Sequence, residues 1–210
     1  MKLVYVGDPM CSWCYGFGKE LAALMQRVPG LELDIRVGGV RAGATDVLDD
    51  QGKQFRLTHW ARVEEASGLP FNRKALLARE NFIYDTEPVC RAFVTARKFA
   101  PQADLLSVFN ALQVAFYVDG LDTTDGKVLA QVAADALTAV GQPINAEEFH
   151  ARWNTTEAIA ETRQDFVMAR AAGIRSFPTL LMDVGGEFIE LSPGYAPVAQ
   201  LEERLKATEL

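Results

Sequence analysis

Cysteine is scarce in this chain: three in 210 residues, Cys11, Cys14 and Cys90. A secreted scaffold held by disulfides needs more, and persistent structural bridges are rare in a reducing compartment. Histidine is scarcer, with only His59 and His150. Structural zinc sites draw their ligands in closely spaced pairs, and Cys90, His59 and His150 form no second pair to set beside Cys11 and Cys14. No metal site is expected. Positive charge is also short, since 21 lysines and arginines face 28 acidic residues for a net charge of −7, and no basic cluster could follow a phosphate backbone. A nucleic-acid partner is not expected. No run approaches the roughly 18 apolar residues of an ordinary transmembrane helix, so no membrane association is expected. The N-terminal apolar run, Leu3 to Val6, breaks at Gly7-Asp8 and is too short for the centre of a signal peptide. The expectation is a leaderless, cytoplasmic protein.

Apolar residues, by contrast, make up 49% of the chain, enough for one compact domain or for one domain carrying an insertion. Residues 3 to 6 predict a buried strand, and Leu31, Leu33, Ile35 and Val37 alternate as a second. Between them Phe17, Leu21, Leu24, Met25 and Val28 recur at helical spacing, and Pro29-Gly30 ends that helix. The unit is β-α-β, with its two strands expected to be parallel neighbours.

For about a hundred residues after Gly38-Gly39 the pattern is helical. Helices are predicted over 58–67, over 73–80 behind an Asn72 cap, and from an Asp85 or Thr86 cap to Phe99, with Pro88 tolerated in the first turn. Further helices are expected over 102–118, from Thr124-Asp125 to Val140, and over 146–153, where Asn145 and Glu148 have capping-box spacing. Thr155 or Thr156 opens a long helix to Ala172, closed at Gly173. Strand composition returns at 179–182 and 188–191 around a Gly185-Gly186 hairpin turn, and 197–206 reads as a final amphipathic helix. There is no internal repeat or low-complexity linker, which favours an insertion over tandem domains. Gly38-Gly39 completes no nucleotide-binding fingerprint and reads as a strand exit.

Cys11-Ser12-Trp13-Cys14 stands directly between the first strand and the first helix. With Cys11 at the start of that helix, unpaired backbone N–H groups and the positive end of the helix dipole should stabilise its thiolate. Cys14 follows three residues later on the same helical face, close enough to attack a mixed disulfide. The pair reads as redox-active.

The order β-α-β, helical block, α-β-β-α, with a Cys-x-x-Cys at the first helix, resembles the thioredoxin fold carrying an insertion. The segment Gly173-Ile174-Arg175-Ser176-Phe177-Pro178-Thr179 looks like the loop that precedes the third strand in that fold. Together with Asp8-Pro9-Met10-Cys11-Ser12-Trp13-Cys14-Tyr15-Gly16-Phe17, the stretch Asp85 to Ala92 and the stretch Phe109 to Tyr117, the chain resembles the DsbA family of thiol-disulfide oxidoreductases. It is most similar to the leaderless, FrnE-like branch described as predicted protein-disulfide isomerases.

The resemblance implies an α/β fold in which residues 1–40 and 155–210 form a thioredoxin-like domain and residues 41–154 an inserted helical domain. It also implies that Cys11 is the nucleophile, Cys14 the resolving cysteine and Pro178 a cis-proline facing them, with no bound cofactor. The expected partners are polypeptides bearing thiols or disulfides, or glutathione. Trp13 and Phe177 are then expected to flank the sulfurs as an apolar platform for extended substrate, or to serve as packing residues. Ser12-Trp13 stands where the periplasmic enzymes carry Pro-His, and it adds no charge that would set the direction of electron flow.

Outside the motif, Cys90 reads as a small buried hydrophobe, His59 and His150 as structural or surface residues, and Asp8 as a turn residue able to act on the thiols by repulsion. Two other functional classes fit parts of the pattern. The kappa-class glutathione transferases and 2-hydroxychromene-2-carboxylate isomerases share the insertion-bearing architecture but normally have serine at the position of Cys11. A redox-sensitive chaperone-like binding module would use the apolar surface around the cysteines.

Overall fold

A computed structural model describes residues 1–208. Strand β1 (Lys2–Gly7) leads into α1 (Ser12–Arg27) and β2 (Glu32–Val37). Seven helices follow: α2 (Asp50–Ser67), α3 (Arg73–Leu77), α4 (Glu87–Phe99), α5 (Leu105–Tyr117), α6 (Gly126–Ala139), α7 (Ala146–Trp153) and α8 (Thr156–Ala171). The chain closes with β3 (Thr179–Val184), β4 (Glu187–Ser192) and α9 (Val198–Ala207). The architecture is mixed α/β, in the element order the sequence predicts.

The four strands make one sheet in the order β2-β1-β3-β4. β1 runs parallel to β2, with Tyr5 opposite Ile35, and antiparallel to β3, with Tyr5 opposite Leu180. β1 is therefore central, and its burial on both faces matches its nearly unbroken apolar sequence. Leu3 and Tyr5 face a large core shared with Phe17, Leu21 and Leu24 of α1 and Leu201 and Leu205 of α9. Val4, Val6 and Leu181 face the other way, into a smaller cluster with Ala169 of α8, Ile174 and Phe177.

The large core continues without interruption into the helical segment. Its centre there is aromatic: Trp60, Phe71 and Tyr117 meet pairwise with ring centres 5.1 to 5.3 Å apart. Tyr15 of α1 stacks on Tyr117 at 5.0 Å, joining the Cys-x-x-Cys helix to α5. On the opposite face of the sheet, the buried Asp165 carboxylate of α8 accepts from Arg36, Arg97 and the Val37 backbone, fastening α8 and α4 to the end of β2. Among the described residues no helix is long and apolar enough to cross a membrane.

Several element boundaries differ from the sequence expectation. α2 begins at Asp50 instead of residue 58, capped by Asp49, whose carboxylate accepts from Gly52 N. Its first two turns carry no apolar stripe: Phe55 is exposed, while Lys53 is buried and donates to the carbonyls of Leu77 and Arg79. α5 starts at Leu105 because Asp104, and no earlier residue, caps it by accepting from Ser107 N. α3 stops at Leu77, three residues early. The capping box at α7 is half made: Asn145 accepts from Glu148 N, but the Glu148 carboxylate turns to Arg152.

Candidate active site

The sheet brings three segments of the chain together at the end of β1. Cys11 is the N-cap of α1, with extended backbone, and its own N–H donates to Asp8 O. Its side chain is partly exposed, and its thiol donates to the Phe177 carbonyl at 3.6 Å. The Phe177–Pro178 peptide bond is cis. Cys14, one turn into the helix, is fully buried and accepts the Asp8 backbone N–H on its sulfur at 3.4 Å. Both cysteines are free thiols. One thiol is thus open to solvent, with a second directly behind it.

Of the other predicted site residues, Pro178 lies in the loop over Cys11. Phe177 meets Cys11 through its carbonyl, whereas its ring packs against Gly38 and the smaller core, where a Cβ on residue 38 would overlap the ring. Trp13 is half-buried against Tyr195, with ring centres 5.7 Å apart.

Behind the cysteines lies a buried polar layer that the sequence reading did not assemble. The Asp8 carboxyl is fully buried and accepts from Met10 N at 2.8 Å and Val40 N at 2.7 Å. The first bond is the expected turn contact; the second ties the loop before α1 to the exit of β2. The Thr86 hydroxyl and the Cys90 thiol also face this carboxyl, so the N-terminus of α4 closes the layer. Cys90 is buried as expected, but against a carboxyl as well as apolar neighbours. Tyr84 donates to Met10 O at 2.6 Å, and the buried Tyr5 hydroxyl reaches residue 7, next to the Asp8 N–H that meets Cys14. Asp8 is the one member of the layer that the sequence singles out as able to act on the thiols; Tyr5, Tyr84, Thr86 and Cys90 read simply as strand, loop and helix residues.

Burial sets the electrostatics of this layer. It raises the Asp8 carboxyl to about 6, against the opposing pull of the nearby Thr86 hydroxyl, the Met10 and Val40 N–H groups and the Cys90 thiol. Burial, and then the neighbouring Cys11, push the Cys14 thiol well up; the Asp8 N–H and the Tyr5 hydroxyl pull the other way. The Cys90 thiol is raised by burial and then by Asp8. Among the described residues no cluster of three or more metal-ligating side chains occurs.

Comparison with known proteins gives a consistent picture. The model of the DSBA-like thioredoxin domain matches residues 2–206. A proposed protein disulfide isomerase from Nitrosomonas europaea superposes with a TM-score of 0.86 at 31% identity, covering 98% of this chain and 96% of its own. The cytosolic disulfide reductase DsbM from Pseudomonas aeruginosa superposes with a TM-score of 0.78 at 22% identity over 100% of this chain and 99% of its own, and it is also known with GSH. A 2-hydroxychromene-2-carboxylate isomerase shares the fold at a TM-score of 0.63 and 14% identity, covering 100% of this chain and 95% of its own. Among curated proteins none matches.

Proposed function

The chain belongs to the DSBA-like thioredoxin domain family, and from that premise we propose that it is a thiol-disulfide oxidoreductase working through Cys11 and Cys14. Cys11 is the nucleophile: its sulfur is the partly exposed one of the pair, at the N-cap of α1 beside the Phe177 carbonyl. Cys14 is the resolving thiol, shielded from substrate and adjacent to Cys11. The observation that carries this reading is the division of labour between one accessible and one buried thiol on a single helical turn, beneath the Phe177–Pro178 loop.

The substrates are thiols or disulfides of polypeptides, or glutathione. An extended peptide would lie along the Phe177–Pro178 backbone with Trp13 at its side, in the manner of strand addition. The presence of GSH in the Pseudomonas relative supports the small-thiol option. Residues 41–154 act as an inserted helical domain beside the site. The scarcity of cysteine and the cytosolic setting of that relative support work in the cytoplasm.

The test is an equilibrium redox titration of the purified protein against glutathione, with Cys11–Cys14 disulfide formation read by mass spectrometry. A pair that interconverts supports the reading. A potential close to the cytosolic glutathione poise, about −220 to −320 mV, assigns reductase or isomerase work, and one close to about −120 mV assigns oxidation. Failure to form the disulfide in any buffer overturns it.

A further inference from the structure

Tyr5 is fully buried on the central strand, and it shares a strand face with Gly7. Its ring runs forward along β1, so that the hydroxyl stands 2.5 Å from the point a Gly7 Cβ would occupy. The missing side chain at residue 7 is the space that lets the hydroxyl reach the end of the strand. Phe17 and Phe109 hold the ring from two sides, with centres 5.7 and 5.5 Å away. Among the described residues this hydroxyl makes no hydrogen bond, to sulfur or to nitrogen or oxygen. Buried hydroxyls nearly always have a partner, and one without it is a candidate for a role in chemistry. The Tyr5 hydroxyl stands at residue 7, next to the place where the Cys14 sulfur accepts the N–H of the following residue, Asp8, at 3.4 Å.

We propose that Tyr5 is a further catalytic residue, its hydroxyl donating a hydrogen bond to Cys14 Sγ during the step that releases substrate from Cys11. The inference rests on the thiol-disulfide exchange reading above. In that step Cys14 loses its proton and its sulfur attacks Cys11 Sγ of the mixed disulfide. The Cys11–Cys14 bond forms, the bond from Cys11 to the substrate sulfur breaks, and the departing substrate thiolate takes up a proton. The dithiol has then given two electrons to the substrate disulfide, while Tyr5 keeps its own proton throughout. Burial, the leading cause of its upward-shifted pKa, keeps the phenol neutral and therefore a donor. The Asp8 N–H already donates to Cys14 Sγ, and in this buried setting a second donor from Tyr5 would favour the thiolate further as Cys14 loses its proton.

Tyr5→Phe removes the donor and keeps the ring. The experiment follows a disulfide-bonded model peptide by rapid acid quench and mass spectrometry, which separates formation of the Cys11 mixed disulfide from its resolution by Cys14. Expected is an unchanged first step and a resolution step slower by about ten- to a hundredfold, since a hydrogen bond to a charged acceptor is lost. A 3-fluorotyrosine placed at position 5, similar in shape and more acidic, should resolve at least as fast as the native protein. Equal resolution rates in the native and Tyr5→Phe proteins overturn the inference, as does equal slowing by Phe and fluorotyrosine, which would make the effect one of packing. If the native protein forms no mixed disulfide at Cys11, the exchange reading itself fails, and that result is distinct from either.

Discussion

The Cys11 thiol donates to the carbonyl of Phe177, 166 residues downstream and 3.6 Å away. That contact joins the N-terminus of α1 to the loop before β3 and sets the accessible sulfur beside backbone that an extended substrate could pair with. Cys14 has no such access. The two thiols should therefore fail differently when mutated. Cys11→Ser is expected to reduce exchange with a disulfide-bonded peptide to the uncatalysed background. Cys14→Ser should still attack but accumulate the mixed disulfide. Non-reducing mass spectrometry distinguishes the two, and trapping through Cys14 in Cys11→Ser would reverse the assignment.

Gly38 is where the Phe177 ring rests, and a methyl group there has no room. Gly38→Ala must displace the Phe177 ring, whose residue also carries the carbonyl that faces Cys11. Overpacking of this kind typically costs about 1–3 kcal/mol. Urea unfolding should show that loss, together with slower mixed-disulfide formation and an unaffected resolution step. Native-like kinetics in a destabilised variant would detach the carbonyl contact from catalysis.

The cysteine pair and the proline loop were legible because each is a contiguous motif at the junction of elements with clear periodicity. The polar layer behind them was not. Asp8, Thr86 and Cys90 come from separate segments, and each has a sufficient local role as turn, cap or core residue. Tyr5 looks like any strand aromatic until Gly7 is seen to leave space for its hydroxyl. The early start of α2 escaped for a related reason. Asp50 to Leu57 has no apolar stripe, and the turns are held by the Asp49 cap and by Lys53 reaching the carbonyls of Leu77 and Arg79.

Asp165 gives a stability prediction separate from the chemistry. Its carboxylate is almost completely buried and satisfies Arg36, Arg97 and the Val37 N–H together. Asp165→Ala leaves the Arg97 guanidinium without its counter-charge, and breaking a buried pair costs about 3–5 kcal/mol. Denaturant unfolding should register a loss of that order. Since Asp165 fastens β2 from the α8 side, rates of thiol exchange in the folded fraction should stay near native. A loss below about 1 kcal/mol would mean that the three donors find water instead.

Asp8 should make stability depend on pH in a direction opposite to that of most carboxylates. Its folded-state pKa is raised from 3.8 to about 6, with burial the largest cause. Over the interval between those values the folded chain keeps a proton that the unfolded chain has released. The resulting stabilisation is complete below pH 3.8 and disappears as pH rises through 6, a span worth about 3 kcal/mol for a shift of this size. Asp8→Asn removes the titration while nearly preserving size, although its amide cannot accept from both Met10 and Val40. The variant is therefore expected to be the less stable protein at pH 4, with the gap narrowing towards pH 7 as the native carboxyl ionises in its dry site. Urea unfolding of both proteins at pH 4, 5, 6 and 7 measures the difference and cancels contributions from groups they share. Curves that run parallel across this range would show that water or a rearranged loop reaches the carboxyl. The tie between Asp8 and Val40 would then be too loose to hold the floor beneath Cys11 and Cys14.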